Sequence, residues 1–380
     1  MNETFTAQTR SSRSKSNLLS CVIGGLFVAA CGSDDAAPQG GSTSTTDASA
    51  ETTEAAEPSS TSADGTTEAI DESGSGSSGG AVGPDGQWVT LAPMAGGPRQ
   101  ETAVVALEGE VYVLGGIAGD LSISAAVEAY DPKTKAWRNV AELPVAMHHL
   151  NAAVVDGRIH VVGFLTGFDF AVDGRGFTYD PGADEWVEAE AMPVGTERGA
   201  SGMAVLEANI FVLGGLREGT AVTDAWVFDC SVDQWFPIAD LPAPRDHMVA
   251  GVIGELVYVA GGRDGTISGH SDRLLIYDPQ TDEWSDGPSM PTSRGGQAGA
   301  VRGRQLFVAG GEGNADAETG VFESWEVFEP DVGWTVLAPM PTPRHGTGAA
   351  VLGDIVFIPG GATTEAFGAV DTHEAWFINP

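Results

Sequence analysis

Short runs of apolar, β-branched and aromatic residues recur along the chain after residue 86. Many of these runs are closed by paired glycines; Val111 to Leu114, for example, ends at Gly115 and Gly116. Apolar runs this short, bounded by glycine or by a tight turn, are typical of buried β-strands rather than of helices. The pattern therefore predicts an all-β domain built from many short strands.

The spacing of the tryptophans shows that these strands belong to a repeating unit. Intervals of 49, 49, 49, 49 and 50 residues separate Trp88, Trp137, Trp186, Trp235, Trp284 and Trp334. Double glycines recur in phase at 115–116, 214–215, 261–262, 310–311 and 360–361, whereas the second repeat has Gly163 followed by Phe164. A fixed period of about 50 residues predicts one structural unit repeated six times.

A third marker is an aromatic residue six or seven positions before the tryptophan, often followed by Asp-Pro, as at residues 130–132 and 277–279. With these three markers in phase, residues 87–380 resemble the kelch family. The resemblance implies a six-bladed β-propeller with four antiparallel strands, A to D, in each blade. It also implies that the glycines and the large aromatics are structural, since the glycines end inner strands and the aromatics fill the space between blades.

The two ends of the repeat region are incomplete in complementary ways. Trp88 to Leu91 has the pattern of an outermost strand D with no strand A, B or C before it. The last repeat ends with strand C near Ile378. We expect the N-terminal strand to complete the last blade, which would close the ring without an open sheet edge.

The N-terminus has the pattern of an export signal, predicted over residues 1–30. Arg10, Arg13 and Lys15 precede an apolar run at 18–30 that is too short for a comfortable membrane span. The run ends in Val-Ala-Ala-Cys, which resembles the lipobox of bacterial lipoproteins and implies lipid attachment at Cys31. The implied location is the bacterial cell envelope, on the periplasmic or cell-surface side; an ordinary signal peptide with a chance cysteine is the alternative.

Residues 31–80 consist mainly of Ser, Thr, Gly, Ala and acidic residues without an aromatic, which predicts a disordered tether before a propeller at 81–380. Of 53 acidic and 18 basic side chains, 11 and 3 precede residue 81, which leaves 42 against 15 and a formal charge of −27. A surface this acidic argues against binding to nucleic acid and against direct docking on anionic lipid. We expect a monomer that reaches the membrane through its lipid anchor alone.

Strand A begins at one face of the propeller, and the antiparallel strand B ends at the same face. The loops before A (D–A) and after B (B–C) therefore share one rim. An arginine precedes the first glycine of each pair by 16 residues, at Arg99, Arg198, Arg245, Arg294 and Arg344. Such a ring of guanidiniums would suit a carboxylate, an anionic sugar or an acidic peptide. Alternatively, each arginine bridges a carboxylate or a carbonyl group of the adjacent blade.

Histidines and phenylalanines mark the same rim. His148, His149 and His247 flank the segments that lead into strand A, where each is either a site residue or hydrogen-bonded to the backbone. Phe168 and Phe170 lie on the B–C loop of the second repeat, where they either anchor a partner or fold back into the mouth. We expect no metal and no cofactor.

The resemblance leaves two classes of function open. Galactose oxidase-like copper chemistry is rejected because repeat positions account for all five tyrosines and because Cys230 lies on the opposite face. The exported N-acetylneuraminate epimerase is a similar propeller, and a mutarotase would need acid and base groups such as His247 or Glu101. The preferred hypothesis is a binding module for a protein or a glycan at the rim, since kelch propellers are most often interaction platforms.

Overall fold

The computed structural model describes residues 85–379, in which all regular structure is β. The predicted signal peptide, Cys31 and the tether lie outside these residues. No helix within this range is long and apolar enough to cross a bilayer.

The strands of the first three repeats are β1 (Gly86–Thr90), β2 (Arg99–Gln100), β3 (Ala103–Leu107), β4 (Glu110–Leu114), β5 (Ile117–Ala118), β6 (Val127–Asp131), β7 (Ala136–Asn139), β8 (Ala152–Val155), β9 (Arg158–Thr166), β10 (Ala171–Asp180), β11 (Glu185–Ala189), β12 (Gly202–Leu206), β13 (Asn209–Leu213), β14 (Leu216–Arg217), β15 (Thr220–Ala221), β16 (Ala225–Asp229) and β17 (Gln234–Pro237). Those of the last three repeats are β18 (Val249–Ile253), β19 (Leu256–Ala260), β20 (Leu274–Asp278), β21 (Glu283–Asp286), β22 (Ala298–Arg302), β23 (Gln305–Ala309), β24 (Trp325–Glu329), β25 (Gly333–Val336), β26 (Ala350–Leu352), β27 (Ile355–Pro359) and β28 (His373–Ile378).

Of these 28 strands, 24 form six four-stranded antiparallel sheets, one for each repeat, and the other four form the two-stranded pairs β2-β5 and β14-β15. In the order A to D the blades are β3-β4-β6-β7, β8-β9-β10-β11, β12-β13-β16-β17, β18-β19-β20-β21, β22-β23-β24-β25 and β26-β27-β28-β1. The innermost strands contact one another in sequence, from β3 through β8, β12, β18 and β22 to β26, and β26 contacts β3 again. The predicted six-bladed β-propeller is confirmed.

The ring closes as predicted, by pairing of the N-terminal strand with the last one. Strand β1 lies antiparallel to β28, with Trp88 opposite Trp376. The backbone N–H of Asn379 also donates to the carbonyl oxygen of Asp85 at 2.8 Å. One blade is thus built from both ends of the repeat region, so separating the blades would require breaking this sheet.

The 49-residue spacing of the tryptophans has a direct structural cause. Each tryptophan on strand D packs against an aromatic residue on strand C of its own blade; the rings of Tyr130 and Trp137, for example, are 5.1 Å apart. The Nε1–H of Trp137 also donates to the carbonyl oxygen of Ala92, which follows strand D of the preceding blade. Trp88, Trp186, Trp284 and Trp334 make the same bond to the blade before them. The tryptophan therefore joins neighbouring blades in five of six positions.

The hydrophobic pattern follows from how blades stack face to face. The B strand β4 has four buried residues in succession, Val111 to Leu114, because both its faces are covered by neighbouring blades. The D strand β7 is mostly exposed at the periphery. The hydrophobic clusters accordingly lie between adjacent blades, as where Leu114 and Phe177 of the first two blades share one cluster.

Candidate functional site

The five predicted arginines lie inside the blades and do not open into the mouth. All are buried, at 0–5% exposure. In the fifth blade, Nη1 of Arg294 donates to Oε2 of Glu326 at 2.8 Å, and Nη2 donates to the carbonyl oxygen of Val308 at 3.1 Å. Arg99 with Glu128 and Arg344 with Glu374 repeat this arrangement.

The partners of the arginines belong to the same blade, not to the adjacent blade that the sequence-based alternative proposed. The reason is that the side chain runs along its own sheet toward strands B and C. Arg198 and Arg245 have no carboxylate at the Glu326 position, and burial lowers their pKa to about 10. Ligand binding by any of the five stays an untested prediction, and the site described below does not include them.

The candidate functional side chains lie two positions after the arginine position of each repeat, on a ring around the propeller axis. Each blade contributes one residue with left-handed backbone, φ between 52° and 69°. The N–H of each residue donates to the carbonyl oxygen of its counterpart in the preceding blade at 2.5–3.0 Å, which closes a circle of six hydrogen bonds. We call this circle the axial ring; it consists of Glu101, His149, Ala200, His247, Gly296 and Gly346.

Three of the six ring positions carry side chains with functional chemistry, and these side chains converge. Nε2 of His149 lies 3.2 Å from Oε2 of Glu101, and Nε2 of His247 lies 3.8 Å from the same oxygen. One ligand atom from each residue falls within 4.8 Å of the others. They line a central cavity of about 260 Å³ whose wall is formed by the first five A strands and by the segment that leads into the sixth.

A charged network supports the His247 side of this group. Nδ1–H of His247 donates to Oδ1 of Asp246, and Nε of Arg263 donates to the same oxygen at 3.0 Å. Arg263 also pairs with Glu312 and donates from Nη2 to Nε2 of His247 at 2.9 Å. Burial by itself would raise the pKa of Asp246, but the His247 hydrogen bond and the Arg263 charge hold it below its usual value.

A chain of hydrogen bonds orients His149 in the same way. Nε2 of His148 lies 2.8 Å from the carbonyl oxygen of Gly167, and Nδ1 of His148 is bonded to Nδ1 of His149. A carbonyl oxygen only accepts, so His148 donates from Nε2 and accepts at Nδ1. His149 must then donate from Nδ1, which leaves a lone pair on Nε2. Burial lowers the pKa of both histidines, so both are neutral imidazoles.

His345 approaches the group from the sixth blade. Its Nε2 lies 2.8 Å from the carbonyl oxygen of Thr364, so Nε2 donates and Nδ1 carries a lone pair. Among the described residues, this Nδ1 is buried without a hydrogen-bond partner. It lies 3.5 Å from Oε2 of Glu312 and 3.8 Å from Oε1 of Glu101. A Cβ at Gly346 would lie 2.5 Å from Oε1 of Glu101, so glycine leaves the space that this carboxylate occupies.

The loops above the axial ring supply an aromatic lip. Phe168 from the second blade and Phe367 from the sixth meet with ring centroids 6.1 Å apart, and they are 48% and 44% exposed. Phe170 instead packs over His148 and His149, at 5.3 and 5.5 Å between ring centroids. The two phenylalanines of this loop therefore differ: Phe168 is exposed, whereas Phe170 folds back over the histidines.

Comparison with known proteins agrees with this architecture. The KLHDC2/KLHL20/DRC7 Kelch-repeats domain family matches residues 177–361, and the Kelch motif matches residues 98–144. The chain carries kelch repeats. This kelch propeller also resembles a solved structure described as "Structure of YjhT", with a TM-score of 0.63 over 74% of this chain and 95% of that one. At 15% identity, that likeness shows the fold alone.

Curated relatives of the kelch propeller are longer proteins. Kelch-like protein terF of Aspergillus terreus is 34% identical over 198 residues, which is 47% of this chain and 43% of the relative. Kelch-like protein 35 of Mus musculus is 32% identical, over 47% of this chain and 29% of the relative. This chain therefore matches less than half the length of either relative.

Sequence reasoning missed Asp246, Arg263 and Glu312. A signal for two of them was present, because the residue directly after the double glycine is apolar in the other kelch repeats, as at Ile117 and Leu216. In the fourth and fifth repeats it is Arg263 and Glu312. Charged residues at an otherwise apolar repeat position indicate a role outside the repeat's own packing.

Proposed function

We propose that this kelch propeller is a binding module whose protein or glycan ligand contacts the mouth formed by the D–A and B–C loops. The observation that carries the proposal is the exposed pair Phe168 and Phe367. The residues directly before them, Gly167 and Ala366, are hydrogen-bonded to His148 and Glu312, beside the axial ring. An aromatic lip next to oriented polar atoms suits a ligand with one apolar face and one polar group.

The position of the pair supports this role. Its two phenylalanines come from blades that flank the first blade on either side, so the contact bridges the loops of two separate repeats. Exposed aromatic rings on a rigid frame are the residues that most often dominate binding energy. The core of each blade does not need them, since both side chains lie outside the buried hydrophobic clusters.

The test is a screen of the full chain against a glycan array and a displayed peptide library. Hits should lose at least about tenfold in affinity, or about 1.4 kcal/mol, when Phe168 and Phe367 are both changed to Ser. Phe236→Ser is the matched control, since Phe236 is 43% exposed but lies on β17 at the periphery. Equal losses in the control and the double variant, or none in either, would refute this proposal.

We also propose that Cys31 is lipidated and holds the propeller at the bacterial cell envelope. The support is the small-residue motif at 28–31 after an apolar run, and the acidic, aromatic-free segment that follows. Metabolic labelling with a fatty acid should tag the wild-type chain. Cys31→Ser should abolish the label and release the protein from the membrane fraction, whereas a label retained in Cys31→Ser would contradict the assignment.

A second candidate function is mutarotation of an anionic sugar. It is favoured by the carboxylate of Glu101 facing the imidazole of His149 at 3.2 Å, with Arg263 nearby as a cation. Either group of this pair can act as the base that ring opening needs, and Arg263 can pair with the carboxylate of the sugar. Proton NMR of anomer exchange in N-acetylneuraminate decides it: wild type should accelerate exchange and Glu101→Gln should not, while equal rates with and without protein would exclude it.

A further inference from the structure

Three atoms with lone pairs meet on the propeller axis, and of these only Nε2 of His247 accepts a hydrogen bond from a side chain of the described residues, that of Arg263. The hydrogen-bond network assigns lone pairs to Nε2 of His149 and Nε2 of His247, because each donates from Nδ1. Both nitrogens face Oε2 of Glu101, at 3.2 and 3.8 Å. Lone pairs facing one another at this distance repel, and a cation placed between them would turn that repulsion into coordination.

The supporting residues are those of a metal site. Metal-bound histidines characteristically donate their second ring nitrogen to a carboxylate or another acceptor, which fixes the tautomer. His247 donates to Asp246 and His149 donates to His148. Two histidines and one carboxylate form a donor set that zinc and related divalent transition metals accept.

The two distances to Glu101 are close to those between the ligand atoms of a zinc site. A tetrahedral zinc with ligands at about 2.0–2.1 Å separates its ligand atoms by about 3.3 Å. The His149–Glu101 separation of 3.2 Å matches that value, and the His247–Glu101 separation of 3.8 Å exceeds it by about 0.5 Å. His345 adds a buried Nδ1 that has no hydrogen-bond partner within residues 85–379 and lies 3.8 Å from the other carboxylate oxygen of Glu101.

The charge of the group fits a divalent cation. Three carboxyl side chains, Glu101, Asp246 and Glu312, lie around one guanidinium, Arg263, so acidic groups outnumber basic ones here by two. Arg263 now donates to Nε2 of His247 at 2.9 Å. A metal would replace that one bond, while Arg263 would keep its contacts with Asp246 and Glu312.

The backbone is also specialised here. A left-handed backbone is unfavourable for a residue with a side chain, whereas glycine adopts it freely. Two ring positions are glycine, whereas Glu101, His149 and His247 hold φ values of 52–53° and Ala200 holds 54°. Three of the four residues with this strained backbone therefore carry side chains that can bind a metal.

We propose that Glu101, His149 and His247 bind one divalent transition metal ion, with an open coordination position toward the central cavity. This site reverses the sequence-based expectation of no metal, and it stands independently of the proposed binding function. The histidines come from the second and fourth blades and the carboxylate from the first, so only a closed ring assembles the site. An open position would offer a Lewis acid to an oxygen atom of a bound ligand.

The test is equilibrium dialysis of the full, tag-free chain against Zn²⁺, in physiological salt with excess Mg²⁺, followed by elemental analysis. We expect one zinc per chain. Asp246→Asn should lower the affinity by about 10–100-fold, and Glu101→Gln, His149→Gln and His247→Gln should each lower it further. Co²⁺ should give a visible absorption band in the wild type that these three variants lose.

His270→Gln is the matched control and should bind zinc like the wild type. His270 lies on the same face, but its ring nitrogens contact Ser293 and the carbonyl of Gly313. Arg263→Gln should bind several-fold more tightly, since it removes both a competing donor and a like charge; misfolding would not produce such a gain. Absence of stoichiometric zinc, or several weak sites unchanged by the ligand variants, would overturn the proposal.

Discussion

Replacing Arg294 with methionine isolates the role of the buried arginines, because the chain already contains the substituted blade. In the second blade, Met147 stands at the arginine position and Phe177 at the glutamate position. In the fifth blade, Arg294 and Glu326 are both fully buried and bonded to each other at 2.8 Å. The single change would therefore leave a carboxylate inside the blade without its counter-ion.

The magnitude follows from what remains around Glu326. Its Oε1 keeps the hydrogen bond from Thr292 at 2.6 Å, but Oε2 loses the one charged partner that it has among the described residues. Breaking a buried pair from one side typically costs about 3–5 kcal/mol, whereas replacing both partners with apolar groups is neutral or stabilising. We expect Arg294→Met to lose about 3–5 kcal/mol and the Arg294→Met/Glu326→Phe double variant to recover most of it.

The fourth blade provides the control. Arg245 is buried like Arg294, but Leu275 occupies the glutamate position. Arg245→Met therefore leaves no buried carboxylate without a counter-ion. Its cost should stay below about 1 kcal/mol, because the desolvated cation that it removes has one hydrogen bond, to Gly261. Urea unfolding, monitored by tryptophan fluorescence, gives the free energy of unfolding of the wild type and the three variants. Equal losses in Arg294→Met and Arg245→Met, or no recovery in the double variant, would refute the reasoning.

Two further predictions concern acid stability and the blade contacts. Burial lowers the pKa of His373 to about 3, so the unfolded chain binds this proton first and stability falls as the pH drops from about 6.5 toward 3. His373→Val, which copies Val127 of the first blade, should flatten that fall in urea midpoints; an unchanged slope would contradict it. Trp284→Phe should cost about 0.5–1.5 kcal/mol more than Trp235→Phe, since Nε1 of Trp284 donates to a carbonyl whereas Nε1 of Trp235, among the described residues, has no partner. Equal urea midpoints would show that this bond adds nothing.

The five buried arginines illustrate what spacing along the chain cannot predict. The period correctly placed one arginine before strand A in five repeats, yet it could not say which way the side chain points. In the folded blade, the carbonyl oxygens that end strand B and the carboxylate on strand C lie within reach of the guanidinium, as Gly115 and Glu128 do for Arg99. Each arginine is therefore bonded within its own blade.

The sequence by itself determined the architecture: six blades, the closure of the ring by β1, and the structural role of the tryptophans and glycines. It could do so because each blade needs the same contacts, so the same residues recur at one period. The tertiary structure alone decided which side chains meet on the axis. Glu101, His149 and His247 are single residues from three different blades, far apart in the chain, and they converge because a left-handed backbone at one position of each blade faces the centre of the closed ring. A site assembled from one residue per repeat leaves no local sequence motif, because closure of the propeller, not spacing along the chain, brings these residues together.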